Sequence, residues 1–245
     1  MTAVDLPSPT TRESFNQQDI PTSIGETAVQ DRPSRSILKT LQVEPVLRSV
    51  VRRLIETQHY LHSMPAASRL CFGVYRDGEL SGAVVFTSGA RHAHRLLSAA
   101  KPNEVATLAR LWLRDDLPRN SESRVIGIVL RHLKRFTDWK LVLSYADPGV
   151  GHVGVVYQAS GWLYVGQGDP TSYVRLPDGK LHHPRSVYDQ YGTNRVSHLR
   201  ATGIDAERVA VSGKHRYLYV LDLAWRWRLT APVIAYPRGN GRGPP

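Results

Sequence analysis

The stretch from Trp139 to Gly166, WKLVLSYADPGVGHVGVVYQASGWLYVG, constrains the fold of this chain more than any other. Lys140 to Tyr145 reads as a buried strand because its apolar run is short and rich in branched and aromatic residues. Asp147-Pro148-Gly149 supplies a turn. A helix-length segment follows from Gly151 to Ala159, Gly161 ends it, and Trp162 to Val165 reads as a second strand. The order strand, turn, helix, strand puts Asp147 at the carboxyl end of a buried strand. Open α/β sheets bind ligands at that edge. Tyr157 stands mid-helix within reach of the same edge. Two plain alternatives remain: Asp-Pro-Gly is ordinary turn chemistry, and a helical tyrosine is often core packing.

The flanking sequence extends the pattern. Val46, Leu47, Val50, Val51, Leu54 and Ile55 recur at helical spacing and predict a helix over 44–62, with His59 and Tyr60 at its end. Leu70 to Tyr75 and Leu80 to Phe86 read as a hairpin turned by Asp77-Gly78. Glu104 to Leu113 reads as a strand that sends Leu111 and Leu113 to one face and Arg110 and Trp112 to the other. An arginine in a central strand must be satisfied by a ligand or a partner. Ser121 to Arg135 reads as a helix with Val125, Ile126, Val129, Leu130 and Leu133 on its apolar face. A strand, a polar turn and a helix N-terminus make an anion site, because unpaired amides point outward there. Arg119, Ser121 and Ser123 sit in that turn. His215 to Leu223 reads as the last core strand.

The 41% hydrophobic content suffices for one sizeable core, and 245 residues suit one embellished domain. The predicted organisation is a disordered segment over 1–36, a folded domain over 37–230 and a flexible Pro/Gly/Arg tail over 231–245. The first segment is rich in Pro, Ser, Thr and Gln and lacks apolar periodicity. The single cysteine, Cys71, excludes an internal disulfide and fits a buried small hydrophobe in a reducing cytoplasm. No secretory leader or membrane span is legible, so a cytoplasmic protein without a membrane partner is expected. His92-x-His94 has no Cys or carboxylate beside it to complete a metal set, and reads as solvated histidines.

Charge points to a partner. Residues 1–36 hold three arginines against five carboxylates and so carry −2, which leaves +13 on the rest of the chain for a net charge of +11. Residues 168–213 place Arg175, Lys180, Arg185, Arg195 and Arg200 among Tyr173, Tyr188 and Tyr191. Basic residues spaced among aromatics suit phosphate contact with stacking. The competing reading is a solvated lobe whose tyrosines form a small core of their own.

Taken together, several motifs resemble the Mom family of phage DNA-modification proteins. They are His59-Tyr60, the Leu108 to Leu113 strand with Arg110, Asn120-Ser121-Glu122-Ser123, Ser144-Tyr145-Ala146-Asp147, Gly151-His152 through Tyr157-Gln158, and Lys214-His215-Arg216-Tyr217. The resemblance spans roughly Thr57 to Asp222. It implies an α/β fold of the GNAT acyltransferase kind: a mixed central sheet flanked by helices, here with a basic insertion before the last core strand. It also implies the activity, a transferase converting adenine in double-stranded DNA to N6-carbamoylmethyladenine and so protecting phage DNA from host restriction. Asp147 and Tyr157 then become proton acceptor and proton donor. His59, Tyr60 and Arg110 shape the pocket or contact the donor, and Arg119, Ser121 and Ser123 hold the donor. Acetyl-CoA or a related acyl donor is implied by the fold, although Glu122 and Arg124 fall where GNAT enzymes carry small residues. The alternative is a conventional GNAT N-acyltransferase acting on a small amine or protein lysine, which needs no basic lobe.

Overall fold

The computed structural model describes residues 41–238. The segment over 1–36 and the last residues of the tail lie outside them. The first strand is β1 (Gln42–Val46), followed by helix α1 (Arg48–Gln58). The helix expected from residue 44 therefore starts later. Gln42 to Val46 pair antiparallel with Tyr75 to Cys71 of β2 (Ser68–Arg76). Pro45 is tolerated because β1 is an edge strand. The sheet continues through β3 (Glu79–Ser88) and β4 (Val105–Leu113), with Asp77 and Gly78 both at positive φ in the hairpin turn. That geometry matches the right-handed twist of the two strands.

Helix α2 (Ser121–Phe136) returns the chain to β5 (Leu141–Ala146), which lies parallel to β4. Then come α3 (Val155–Ala159), shorter than the segment expected over 151–159, and β6 (Leu163–Gln167). After an insertion, β10 (His215–Val220) slots between β5 and β6. The resulting seven-stranded mixed sheet runs β1-β2-β3-β4-β5-β10-β6. Periodicity decides what each helix covers. Val125, Ile126, Val129, Leu130 and Leu133 of α2 bury against Phe72, Val84, Phe86 and Leu108 on one face. Val51 and Ile55 of α1 bury against Cys71, Ala83 and Val85 on the other. Leu111 and Leu113 join the α2 side and Trp112 the α1 side, as alternation along β4 requires.

The insertion is a lobe with its own sheet: β7 (Thr171–Arg175), β8 (Leu181–His182) and β9 (Glu207–Val211). Helices α4 (Pro184–Tyr191) and α5 (Val196–Ala201) complete it. Its core is Val174, Leu176, Val187, Leu199 and Ala206. Aliphatic side chains fill it rather than the tyrosines; Tyr191 packs at its margin and Tyr188 is exposed. The chain enters and leaves the lobe through a backbone-to-backbone contact. A Cβ on Gly213 would stand 1.7 Å from the Gly168 carbonyl oxygen, so only glycine fits this neck.

As far as residue 238, the expected tail lies against β6. Ile234 donates its amide to the Tyr164 carbonyl, and the Tyr236 hydroxyl donates to the Trp162 carbonyl. One backbone amide and one phenol thus fasten it to Trp162 and β6. No helix among the described residues is long and apolar enough to cross a membrane.

Candidate active site

A cleft opens where β4 and β5 part. Their pairing runs from Val105 and Leu141 to Leu108 and Ser144 and then stops, while β4 continues to Leu113. A bulge helps to turn β4 away: Val85 and Phe86 of β3 face Arg110 and Leu108, leaving Ala109 as the extra residue. The gap is a cleft of about 1300 Å³. Its walls include Leu108 and Ala109 of β4, Tyr145 and Ala146 of β5, the start of α2, α3, and the end of α1. Arg238 from the tail also lines it.

Tyr157 stands on the wall made by α3. That helix starts from Gly154 at φ +77°, where a Cβ would meet the Tyr217 ring at 2.4 Å. Gly154 thus lets α3 settle against β10. The Tyr157 ring lies 5.2 Å from Trp162 and 5.3 Å from Tyr217 and is only 9% exposed. Burial pushes its phenol up to about 12, with the Ser144 hydroxyl acting against the rise and Tyr60 and Tyr217 adding to it. The group is therefore a neutral hydroxyl at physiological pH, able to donate a proton.

Asp147 stands at the rim beside Pro148, which lines the cleft. One carboxylate oxygen accepts the Gly149 amide at 2.9 Å, and the other meets the Lys214 ammonium at 2.9 Å. Burial would raise the Asp147 pKa, but the Lys214 bond, the Gly149 amide and the Lys214 and His152 charges together hold it below the usual carboxylate value. For Lys214, burial acts downward and is outweighed by Asp147, so its pKa rises. The two form a fixed charge pair. Asp147 is ionised there but weakly basic, and each oxygen keeps a lone pair for a further donor.

His59 and Tyr60 also line the cleft, their rings stacked at 4.6 Å. His59 Nδ1 accepts the Leu61 amide at 3.1 Å, which leaves the proton of the neutral ring on Nε2. Burial first, then the Arg110, His62 and His152 charges, lower its pKa from 6.5 to about 4. Tyr60 meets His152 edge-on at 5.7 Å. Burial raises the Tyr60 phenol, with Lys214 opposing and Asp147 adding to the shift.

The His59 shift has a consequence for stability. Between about 4 and 6.5 the unfolded chain binds a proton that the folded ring refuses, so stability should be full above pH 6.5 and fall as pH drops through that window. The full loss from this residue is about 3 kcal/mol. Urea midpoints against pH should be flatter for His59→Gln than for the parent chain. Equal slopes would mean that His59 titrates normally.

The start of α2 supplies a third wall. Asn120 takes φ +69°, and the Ser121 hydroxyl donates to the Pro118 carbonyl at 2.6 Å. Ser121 is thus buried and spent on its own turn, away from the cleft wall. Ser123, Glu122 and Arg119 do line the cleft, with the Ser123 hydroxyl donating to the Asn120 carbonyl. The amides of Glu122 and Ser123 lack intrahelical acceptors by helix geometry, and no other backbone acceptor among the described residues reaches them. Arg110 does not line the cleft. Its guanidinium donates to the Ser63 carbonyl and hydroxyl, at 3.0 and 3.2 Å, and so fastens the loop after α1.

The cleft lining thus includes His59, Tyr60, Tyr157, Arg119 and Ser123 but neither Arg110 nor Ser121. Asp147 is not a lining residue and lies next to it, between Ala146 and Pro148, both of which line the cleft. His152 lines the cleft, and Lys214 pairs with Asp147 beside it; neither was singled out as a site residue. Antiparallel register sets His215 opposite Ala146, so Lys214 falls beside Asp147. That pairing needs the strand order, which no local motif contains. Of the lobe's basic residues, Arg175 pairs with Glu207 at 2.9 Å and Arg200 donates to the Ala206 carbonyl. Lys180, Arg185 and Arg195 are exposed and make no ion pair among the described residues. Tyr173 of β7 lies near enough to Tyr60 and Lys214 to influence both, so the lobe borders the rim.

A model of the Mom protein family matches residues 40–238. The methylcarbamoylase mom of Escherichia phage Mu is 33% identical over 211 residues, which cover 82% of this chain and 85% of that protein. Among solved structures, the N-acyl amino acid synthase FeeM from uncultured soil microbes aligns over 78% of this chain and 95% of its own, at 13% identity and a TM-score of 0.43. The spermidine N-acetyltransferase of Vibrio cholerae aligns over 75% and 96%, at 9% identity and a TM-score of 0.42.

Proposed function

The chain belongs to the Mom protein family, and from that membership and the cleft between β4 and β5 we propose that it is a transferase converting adenine in double-stranded DNA to N6-carbamoylmethyladenine. The observation that carries the reading is a buried Tyr157 phenol lining the cleft, with the Asp147–Lys214 pair next to two further lining residues, Ala146 and Pro148. The adenine amine is conjugated to its ring and weakly nucleophilic. It needs orientation at its N–H and a group that protonates what departs. Asp147 accepts a hydrogen bond from the amine and holds its lone pair toward the cleft. Lys214 keeps that carboxylate ionised and fixed. Tyr157 holds a proton at its hydroxyl for the leaving group. The Nε2–H of His59 is a neutral donor suited to a carbonyl oxygen.

The donor end of the cleft fits an anionic, CoA-type group. The free amides of Glu122 and Ser123 and the Arg119 side chain offer hydrogen-bond donors and positive charge where α2 begins. Departure of a thiolate from an acyl-CoA would bond N6 to a carbonyl carbon, whereas the proposed product bonds N6 to the methylene and carries an amide nitrogen. An acyl-CoA alone therefore does not supply the carbamoylmethyl group, and a nitrogen-bearing co-reactant is required. Glu122 stands on the same wall and narrows the approach for phosphate.

DNA reaches the cleft past the lobe. A target amine must enter a walled opening, which requires the base to leave the stack. Lys180, Arg185 and Arg195 are the free cations nearest in sequence to Tyr173 and supply phosphate contacts. Duplex affinity should fall steeply with salt, and Arg185→Ala with Arg195→Ala should flatten the salt slope by about 2. A titration series in a fluorescence anisotropy assay measures this; an unchanged slope removes the lobe from the DNA surface. The activity itself is tested by the nucleoside composition of plasmid DNA from cells expressing the chain.

A further inference from the structure

The end of the sheet opposite the cleft carries an aromatic and basic surface that the transfer reaction does not use. After β10 the chain makes a 3-10 turn, Leu223–Arg228, with the sequence LAWRWR. Lys214 precedes the first residue of β10 and this turn follows the last. Six residues at ~3.3 Å each set the two ~20 Å apart. The Arg228 guanidinium lies 4.7 Å from the Trp225 ring centroid and 4.6 Å from that of Trp227. Trp225 packs on the core side, whereas Trp227 is 75% exposed. Lys140 stands 5.8 Å from Trp225. Arg95 is anchored alongside, because its carbonyl accepts the Thr230 hydroxyl. Arg95, Arg226 and Arg228 form no ion pair among the described residues.

Trp227 offers three-quarters of its surface to a partner, and an exposed Trp beside Arg is the pairing that stacks on bases. Arg228 stacks on one face of the Trp227 indole, Arg226 precedes Trp227 in the same turn, and Arg95 lies on the segment bonded to Thr230 just beyond. Such a surface suits a π-faced, polyanionic partner: the base stacks on the ring and the phosphates meet the arginines. Base faces are open only where strands are unpaired. We propose that Trp227, Arg228, Arg226 and Arg95 form a second nucleic-acid site, specific for single strands and separate from the transfer cleft.

Oligothymidylate is the probe, because it has no adenine to enter the cleft and tests this site whatever the fate of the transferase reading. The full chain should bind labelled oligothymidylate, measured by anisotropy, with quenching of its tryptophan fluorescence. Trp227→Ala should weaken that binding by about 5- to 100-fold, and Trp227→Phe should restore most of it. Because Arg185 and Arg195 are proposed to contact phosphates, the Trp227→Ala comparison is repeated in the Arg185→Ala/Arg195→Ala background, where the Trp227-dependent loss should persist. Two results would overturn the proposal: equal oligothymidylate affinity with and without Trp227 in both backgrounds, and Trp227-dependent binding to phosphatidylserine vesicles without oligothymidylate binding.

Discussion

A Tyr157→Phe variant should fold, bind duplex DNA as tightly as the parent chain, and modify adenine about 10²–10⁴-fold more slowly. The ring keeps its contacts with Trp162 and Tyr217, so packing is preserved. Only the hydroxyl is removed, and with it a proton that burial holds in place up to about pH 12. The loss should fall on the rate of transfer at saturating DNA rather than on DNA affinity, because the group acts as bonds change. A structural tyrosine predicts the opposite pattern: near-normal modification with a lowered melting temperature.

The second large effect concerns the charge pair at the rim. Asp147→Asn retains an oxygen for the Gly149 amide, so the turn survives, but it releases Lys214 from its partner. Modification should drop by about 10²-fold, the lower end of what acid–base and orienting groups supply. Lys214→Met should cost a similar amount, and the double variant little more than either, because the two act as one unit. The pair is partly exposed, so its effect on stability should stay below about 1 kcal/mol. The signs with pH follow from the two shifts. Asp147 has a lowered pKa, so its contribution is present above its unfolded value of 3.8 and is lost as pH falls through the lower folded value. Lys214 has a raised pKa, so its contribution is present below 10.5 and is lost as pH rises through the higher folded value. Between those limits the pair is intact. Additive losses in the double variant would show that Lys214 acts independently of Asp147.

Much of this site was legible because local chemistry and fold agree there. Asp147 closes β5 and Tyr157 lies on the next helix, as the strand-turn-helix pattern requires. The hairpin at Asp77-Gly78, the two faces of β4 and the apolar stripe of α2 follow from periodicity and turn residues alone. What was not legible depends on distant partners. Gln42 to Val46 form a strand because β2 offers an edge, although Val46 also fits the helical stripe that follows. Ser121 turns inward because the Pro118 carbonyl is 2.6 Å away, a fact of loop shape. Arg110 is satisfied by Ser63, 47 positions earlier in the chain. Arg175 and Arg200 are held by Glu207 and Ala206, so the lobe offers fewer free cations than its composition suggests. The Lys214 partner of Asp147 required the register of β10 on β5.

Mass spectrometry of nucleosides from plasmid DNA, taken from cells expressing the chain, tests the central claim most directly. The account predicts a deoxyadenosine heavier by one carbamoylmethyl group in place of an N6 hydrogen, present with the parent chain and strongly reduced with Tyr157→Phe. Unaltered deoxyadenosine in cells that have accumulated the folded parent chain would contradict it.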